Sequence, residues 1–149
     1  MQRHFCTSVY TYRPDTRQFL LIKHKKLGKW LQPGGHVDPD ELPDTAAVRE
    51  VFEETGLHVE LIGDHLPRPT DPVRPFAMQL NVITENEHEH IDFVYLATPV
   101  GSLALTQNVQ ETDGIKWYAL DEILNDDFDT FDTVKHWCRY FFNHLNFNS

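Results

Sequence analysis

The sequence predicts an α/β protein, an α/β/α sandwich in which helices cover both faces of a mixed β-sheet. Three observations predict it: strand-like runs rich in β-branched and aromatic residues lie on both sides of one strong helical segment, a long amphipathic stripe follows near the C-terminus, and no repeat or Gly/Ser linker interrupts the series. The 149 residues, 40% of them hydrophobic, suit a single domain over residues 1–149 with one core.

Residues 6–12 and 18–23 read as a β-hairpin around the turn-like Arg13-Pro14-Asp15-Thr16-Arg17. Residues 44–55 are good helix formers, with a capping-type Asp44 at the start and Gly56 where a left-handed C-terminal residue is wanted. Residues 58–62, 76–84 and 92–98 read as strands. Pro67, Pro69, Pro72 and Pro75 make the connection before the second of these irregular but stiff. A last short strand is expected at 115–119 and a short helix at 120–124. From Asp129 onward, Phe131, Val134, Cys138, Phe141 and Leu145 recur at three- and four-residue spacing, the stripe of a helix packed on the sheet.

Thirteen Lys and Arg against 23 Asp and Glu give a net charge of -10, which repels the phosphate backbone of duplex nucleic acid and anionic membranes. Lys23, Lys25, Lys26 and Lys29 nevertheless crowd one short stretch, so small polyanions stay within reach as ligands. The first twelve residues alternate polar and apolar, and no apolar run approaches the roughly 20 residues that span a bilayer. Cys6 and Cys138 are far apart with no CxxC pair, which argues against a disulfide framework or a cysteine-rich zinc site. The expectation is a soluble, cytoplasmic protein.

The chemistry concentrates in residues 34–57. On a helix at about 100° per residue with Ala46 at zero, Glu50, Glu53 and Glu54 fall at about 40°, -20° and 80°. Val48, Val51, Phe52 and Thr55 fall at about 200°, 140°, 240° and 180°, so one face is expected to be acidic and the opposite face core. Carboxylates this close on a helix destabilise it by roughly 0.2–0.5 kcal/mol per like-charged pair unless a cation neutralises them. An all-oxygen donor set suits Mg2+ or Mn2+ better than Zn2+, and Mg2+ commonly shares its shell with substrate phosphates. Arg49, at about -60°, flanks the acidic face and can orient a carboxylate. A glutamate-rich helix is also what a solvated face looks like. What changes the weighing is the upstream Gly34-Gly35 pair, where backbone can approach a ligand closely, and the further acid Glu41 in the intervening loop.

This stretch resembles the signature of the Nudix hydrolase family, G-x5-E-x7-R-E-U-x-E-E-x-G-U with U aliphatic. Gly35, Glu41, Arg49, Glu50, Val51, Glu53, Glu54, Gly56 and Leu57 meet every specified position. The resemblance implies a Nudix-like α/β/α sandwich and Mg2+-dependent hydrolysis, with Mn2+ as a substitute ion. The bond cleaved would be the diphosphate linkage of a small nucleoside-diphosphate-linked substrate, by water attacking phosphorus. Glu50, Glu53 and Glu54 would hold the metal together with the backbone carbonyl of Gly34. Arg49 would orient the glutamates, and Glu41 would be secondary or structural. The general base stays open between Glu50 and Glu53, because family members also recruit one from a loop outside the box; here Glu111 is the loop candidate, with Asp113 second. Family members are often dimers, so a homodimer is compatible with the resemblance.

Weaker signals lie outside the box. His36 follows the glycine pair and is a candidate substrate contact. Lys29, within the basic stretch around His24, is another, with a plain basic surface as the other reading. His88, His90 and Asp92 alternate, so on a strand all three face one way, toward substrate or metal or simply toward solvent. Phe76, Tyr95, Trp30 and Trp117 could stack on a base, but aromatic residues in a domain of this size belong mostly to the core. A nucleotide sugar, an ADP-ribose-like molecule or a dinucleotide competes as substrate with a nucleoside triphosphate. A nucleotide-sensing domain that binds without turnover is the alternative from another class.

Overall fold

The structure is a computed structural model, and it describes residues 1–65 and 67–147. The elements run β1 (Gln2–Arg13), β2 (Gln18–His24), β3 (Trp30–Leu31), β4 (Gly34–His36), α1 (Pro43–Thr55), β5 (Val59–Ile62), β6 (Ala77–Thr84), β7 (His88–Pro99), β8 (Thr112–Ala119), α2 (Leu120–Leu124) and α3 (Asp132–Phe147). Strands β1 and β7 pair in parallel from Gln2↔His88 to Thr11↔Ala97, and every other pairing is antiparallel, so the sheet is mixed as expected.

Alternation along the central strands builds two cores. Tyr10, Phe19, Leu21, Val94 and Leu96 turn toward α3 and meet Val134, Cys138 and Phe141. Their neighbours Val9, Leu20, Tyr95 and Ala97 turn the other way and meet Ala47 and Val51 of α1. Helices therefore cover both faces. No helix among the described residues is long and apolar enough to cross a membrane.

The expected hairpin forms only at its base. Strand β1 meets β2 at Tyr12↔Phe19 and Arg13↔Gln18 only; β2 then parts from β1 and meets β3 at Ile22 and Lys23, while β8 pairs with it from Gln18 to His24. Strand β4, too short to read from the sequence, takes the vacated edge of β1 at Cys6–Ser8. The edge of β1 is thus divided between two partners, and the wedge between them opens a cleft.

Three other expectations are corrected. Asp44 does not cap α1: Leu42 is the N-cap, Pro43 opens the helix, and Asp44 instead accepts a hydrogen bond from Val73 N at 3.0 Å, tying the proline-rich connection to α1. Phe131 precedes α3 and lies 40% exposed with the Lys29 ammonium over its ring, because its place in the stripe falls before the helix has begun. Phe52, expected in the core, is 47% exposed and stacks on His58. The side of α1 that turns inward carries Ala46, Ala47, Val51 and Thr55, and with them Glu54. The acidic face and the core face are therefore neighbours, not opposites.

Candidate active site

Helix α1 ends where the sequence says it should. Gly56 takes φ 74° and returns its N–H to the Phe52 carbonyl, a left-handed cap that a side chain would strain. That fixes the register of the last turn, which carries the glutamates. Glu54 is 4% exposed, and its Oε1 accepts the Gly34 N–H at 2.9 Å. Glu50 lies so close to β4 that a Cβ on Gly35 would sit 2.6 Å from its carboxyl carbon, so the carboxylate occupies space that a side chain at 35 would take. Glu53 remains half exposed at the rim.

Arg49 holds the arrangement together. Its guanidinium donates to both oxygens of Glu41 at 2.8 and 2.9 Å, to Glu50 and Glu53 at 3.0 Å each, and to the His36 carbonyl at 3.0 Å. A planar fork with several donors can span such a set, where an ammonium cannot. Glu41 also accepts the Asp38 N–H, and the arginine beside it holds its carboxyl below the usual range. The β4 segment is thereby clamped to α1 from both ends, by Glu54 at Gly34 and by Arg49 at His36.

Burial pushes Glu50 up to about 7 and Glu54 up to about 8, with Glu111 and the neighbouring carboxylates adding to the rise and Arg49 opposing it at Glu50. Glu54 forms no ion pair among the described residues. Desolvated carboxylates with so little cationic compensation are costly, and a hard divalent ion removes that cost. The donors present are carboxylate oxygens, which fit Mg2+ or Mn2+.

These groups line one wall of a cavity of about 680 Å³, a size that holds a nucleotide-scale ligand. Glu50, Glu54, Gly34, Gly35 and His36 come from the box, and Glu111, His24, Lys25 and Lys26 from the far side. Lys25 fixes the Glu111 loop with two donations: its N–H goes to the Glu111 carbonyl and its ammonium to the Val109 carbonyl. Deeper in, Asp92 is buried and accepts from Ser8, Gln79 and Asn81, all on Oδ2. Its Oδ1 and the Oε1 of Gln32 are buried acceptors without a partner among the described residues.

The structure thus brings Gly34, His36, Glu50, Glu54 and Glu111 to one cavity, with Glu53 and Arg49 joined to them through the guanidinium. It does not bring Lys29 there: that ammonium pairs with Asp129 at 2.7 Å, and Lys25 and Lys26 occupy the cavity instead. Asp113 also lies outside the lining. Phe76, Tyr95, Trp30 and Trp117 pack against the cores. The buried Asp92 set escaped the sequence reading except for its alternation with His88 and His90, since Ser8, Gln79 and Asn81 come from strands distant in sequence.

The geometry is a carboxylate-bearing helix end clamped to a glycine strand beside a nucleotide-sized cleft. The chain belongs to the Nudix family: the family model described as NUDIX domain matches residues 2–142. It is similar to a putative 8-oxo-dGTP diphosphatase of Bacillus subtilis, 30% identical over 69% of this chain and 58% of that protein. It also resembles a probable DHNTP pyrophosphohydrolase of Lactococcus lactis, 35% identical over 60% of this chain and 50% of that one. The match spans between about a third and 60% of the length of the curated relatives. Among solved structures, a NUDIX-family hydrolase from Clostridium perfringens superposes with a TM-score of 0.79, 30% identity, and coverage of 98% of this chain and 100% of that one.

Proposed function

We propose that this chain is a Mg2+-dependent hydrolase that cleaves the diphosphate linkage of a small nucleoside-diphosphate-linked substrate, with Mn2+ as a substitute ion. The observation that carries the reading is the buried Glu54 and the part-buried Glu50 against the glycine backbone of β4, at the wall of a cavity that Lys25 and Lys26 also line. Glu50, Glu53 and Glu54 would hold the ion, with the Gly34 carbonyl beside them. When bound, the ion lowers the pKa of the attacking water and neutralises charge on the diphosphate.

The chain's own groups do the rest. Arg49 keeps the glutamates in place, so that little is reorganised during reaction. The water oxygen bonds to phosphorus as the bridging P–O bond breaks, and the water's proton passes to a carboxylate, Glu50 or Glu53, with Glu111 across the cavity as the loop alternative. The leaving group departs as a phosphomonoester, and the other product is a nucleoside monophosphate. Lys25 and Lys26 offer positive charge to phosphate oxygens. The unpartnered acceptors of Asp92 and Gln32 suit N–H donors, which a nucleobase supplies.

A second reading, hydrolysis of a nucleoside triphosphate at the α-phosphorus, is favoured by what the similar bacterial proteins are described as cleaving, 8-oxo-dGTP and DHNTP. A panel of nucleotide sugars, dinucleotides, ADP-ribose and triphosphates, assayed with Mg2+ and with chelator, separates the two. Paired phosphomonoesters support the diphosphate linkage, and free pyrophosphate supports the triphosphate. Mg2+-dependent binding with no turnover of any member would point to a sensing domain.

A further inference from the structure

A cluster of imidazoles borders the same cleft, with His36 and His90 in its lining. Strand register assembles it. The parallel pairing sets His4 opposite His90 and Gln2 opposite His88, so His4, His88 and His90 share one sheet face. The antiparallel pairing of β4 sets His36 opposite Cys6 on the next strand over. Three adjacent strands thus deliver four histidines to one patch.

The geometry is close to that of coordination. His36 Nε2 and His90 Nε2 are 3.4 Å apart, and His4 Nδ1 and His88 Nε2 are 2.8 Å apart. Two ligand nitrogens on a tetrahedral ion at about 2.0 Å are separated by about 3.3 Å, so the first pair already spans such an edge and the second opens by about half an ångström. One ring nitrogen from each of His4, His88 and His90 lies within 4.8 Å of the others. The same holds for His36, His90 and the Cys6 sulfur, so the two sets meet at His90. Ring centroids of His4 and His36 are 5.0 Å apart.

The rings have little other employment. Apart from the two nitrogen–nitrogen contacts, the cluster packs ring against ring. Solvated surface histidines have no reason to converge on one another, because each protonation raises the cost of the next. Imidazole nitrogen is a borderline donor that selects Zn2+, Ni2+ or Cu2+ and is passed over by Mg2+.

We infer that His4, His36, His88 and His90 form a second metal site, distinct from the glutamate site, that binds one Zn2+-class divalent ion. The inference does not depend on the proposed hydrolysis. Because His36 continues the Gly34-Gly35 strand and its carbonyl is held by Arg49, an ion here would also anchor the strand that carries the glycine wall of the cleft.

The test uses the full chain, stripped with chelator, then given Zn2+ in the presence of excess Mg2+ and gel-filtered before metal analysis. The expected result is about one Zn2+ retained per chain. The variants His88→Gln and His4→Gln, each melting like the stripped wild type, lose Zn2+ affinity about tenfold or more, whereas Glu53→Gln keeps it. Co2+ gives an independent reading on the wild type alone: the intense visible bands of a low-coordinate nitrogen site are expected, and the weak bands of an octahedral oxygen site would contradict it. No retained Zn2+, equal retention in both histidine variants, or loss in Glu53→Gln would overturn the site.

Discussion

At the residue scale, Arg49 and Gly35 decide the geometry of the site. The arginine reaches Glu41, Glu50, Glu53 and a peptide carbonyl at once, which only a multi-donor plane can do. Arg49→Lys keeps the charge and loses the fork. Its turnover is expected to fall about 10- to 100-fold while the molecule stays folded, as for a partner that orients metal ligands. Steady-state assay beside thermal melting checks this, and unchanged turnover would deny Arg49 its positioning role. Gly35→Ala acts differently, because the new methyl meets the far end of the Glu50 side chain and not backbone. The carboxylate moves aside, so Mg2+ dependence should weaken with little change in melting temperature. The box positions were legible because the chemistry is written in consecutive residues of one helix and its approach. His4 was not, since only the parallel register of β1 against β7 brings it to His90.

At the element scale, α1 shows where a helical wheel stops being informative. The wheel separates acidic from apolar residues correctly, but it cannot say which arc faces the protein. An inward arc centred between the two is what buries Glu54 beside Val51 and leaves Phe52 outside. Val51→Ala should therefore cost about 1–3 kcal/mol as a buried methyl pair is lost, and Phe52→Ala much less despite the larger ring removed. Denaturant unfolding of the two variants checks the order, and the reverse order would contradict the observed rotation of α1. Elements with long periodic patterns, α1, α3 and the central strands, could be read from the sequence. The three-residue β4 could not, because nothing in Gly-Gly-His marks a strand until β1 offers an edge.

At the scale of the whole molecule, the divided edge of β1 opens the cleft, and the cleft concentrates negative charge in a chain already at -10. That has a consequence for stability without metal. Glu50 and Glu54 titrate at about 7 and about 8 when folded, against 4.5 for the ordinary side chain, so the folded state binds more protons than the unfolded one between those limits. Their contribution is fully present below about pH 4.5 and is lost as pH rises through 7 and 8. His36 and His90 are lowered and act oppositely, but only below their ordinary 6.5. From pH 6.5 to 8.5 the glutamates dominate. The melting temperature in chelator should fall across that window, and the increment gained from Mg2+ should grow. A flat chelator curve would mean that the carboxylates are not strained by burial.

In the proposed function the α1 glutamates make this fold a metal-dependent hydrolase of diphosphate bonds. The measurement that tests it most directly is product release from the nucleotide panel by the wild type and by Glu50→Gln, Glu53→Gln and Glu54→Gln, each with Mg2+ and with chelator. Turnover of one substrate class is expected, abolished by chelator and cut by about 100-fold or more by at least one substitution in a folded protein. Turnover that survives chelator, or that all three variants retain, would contradict it.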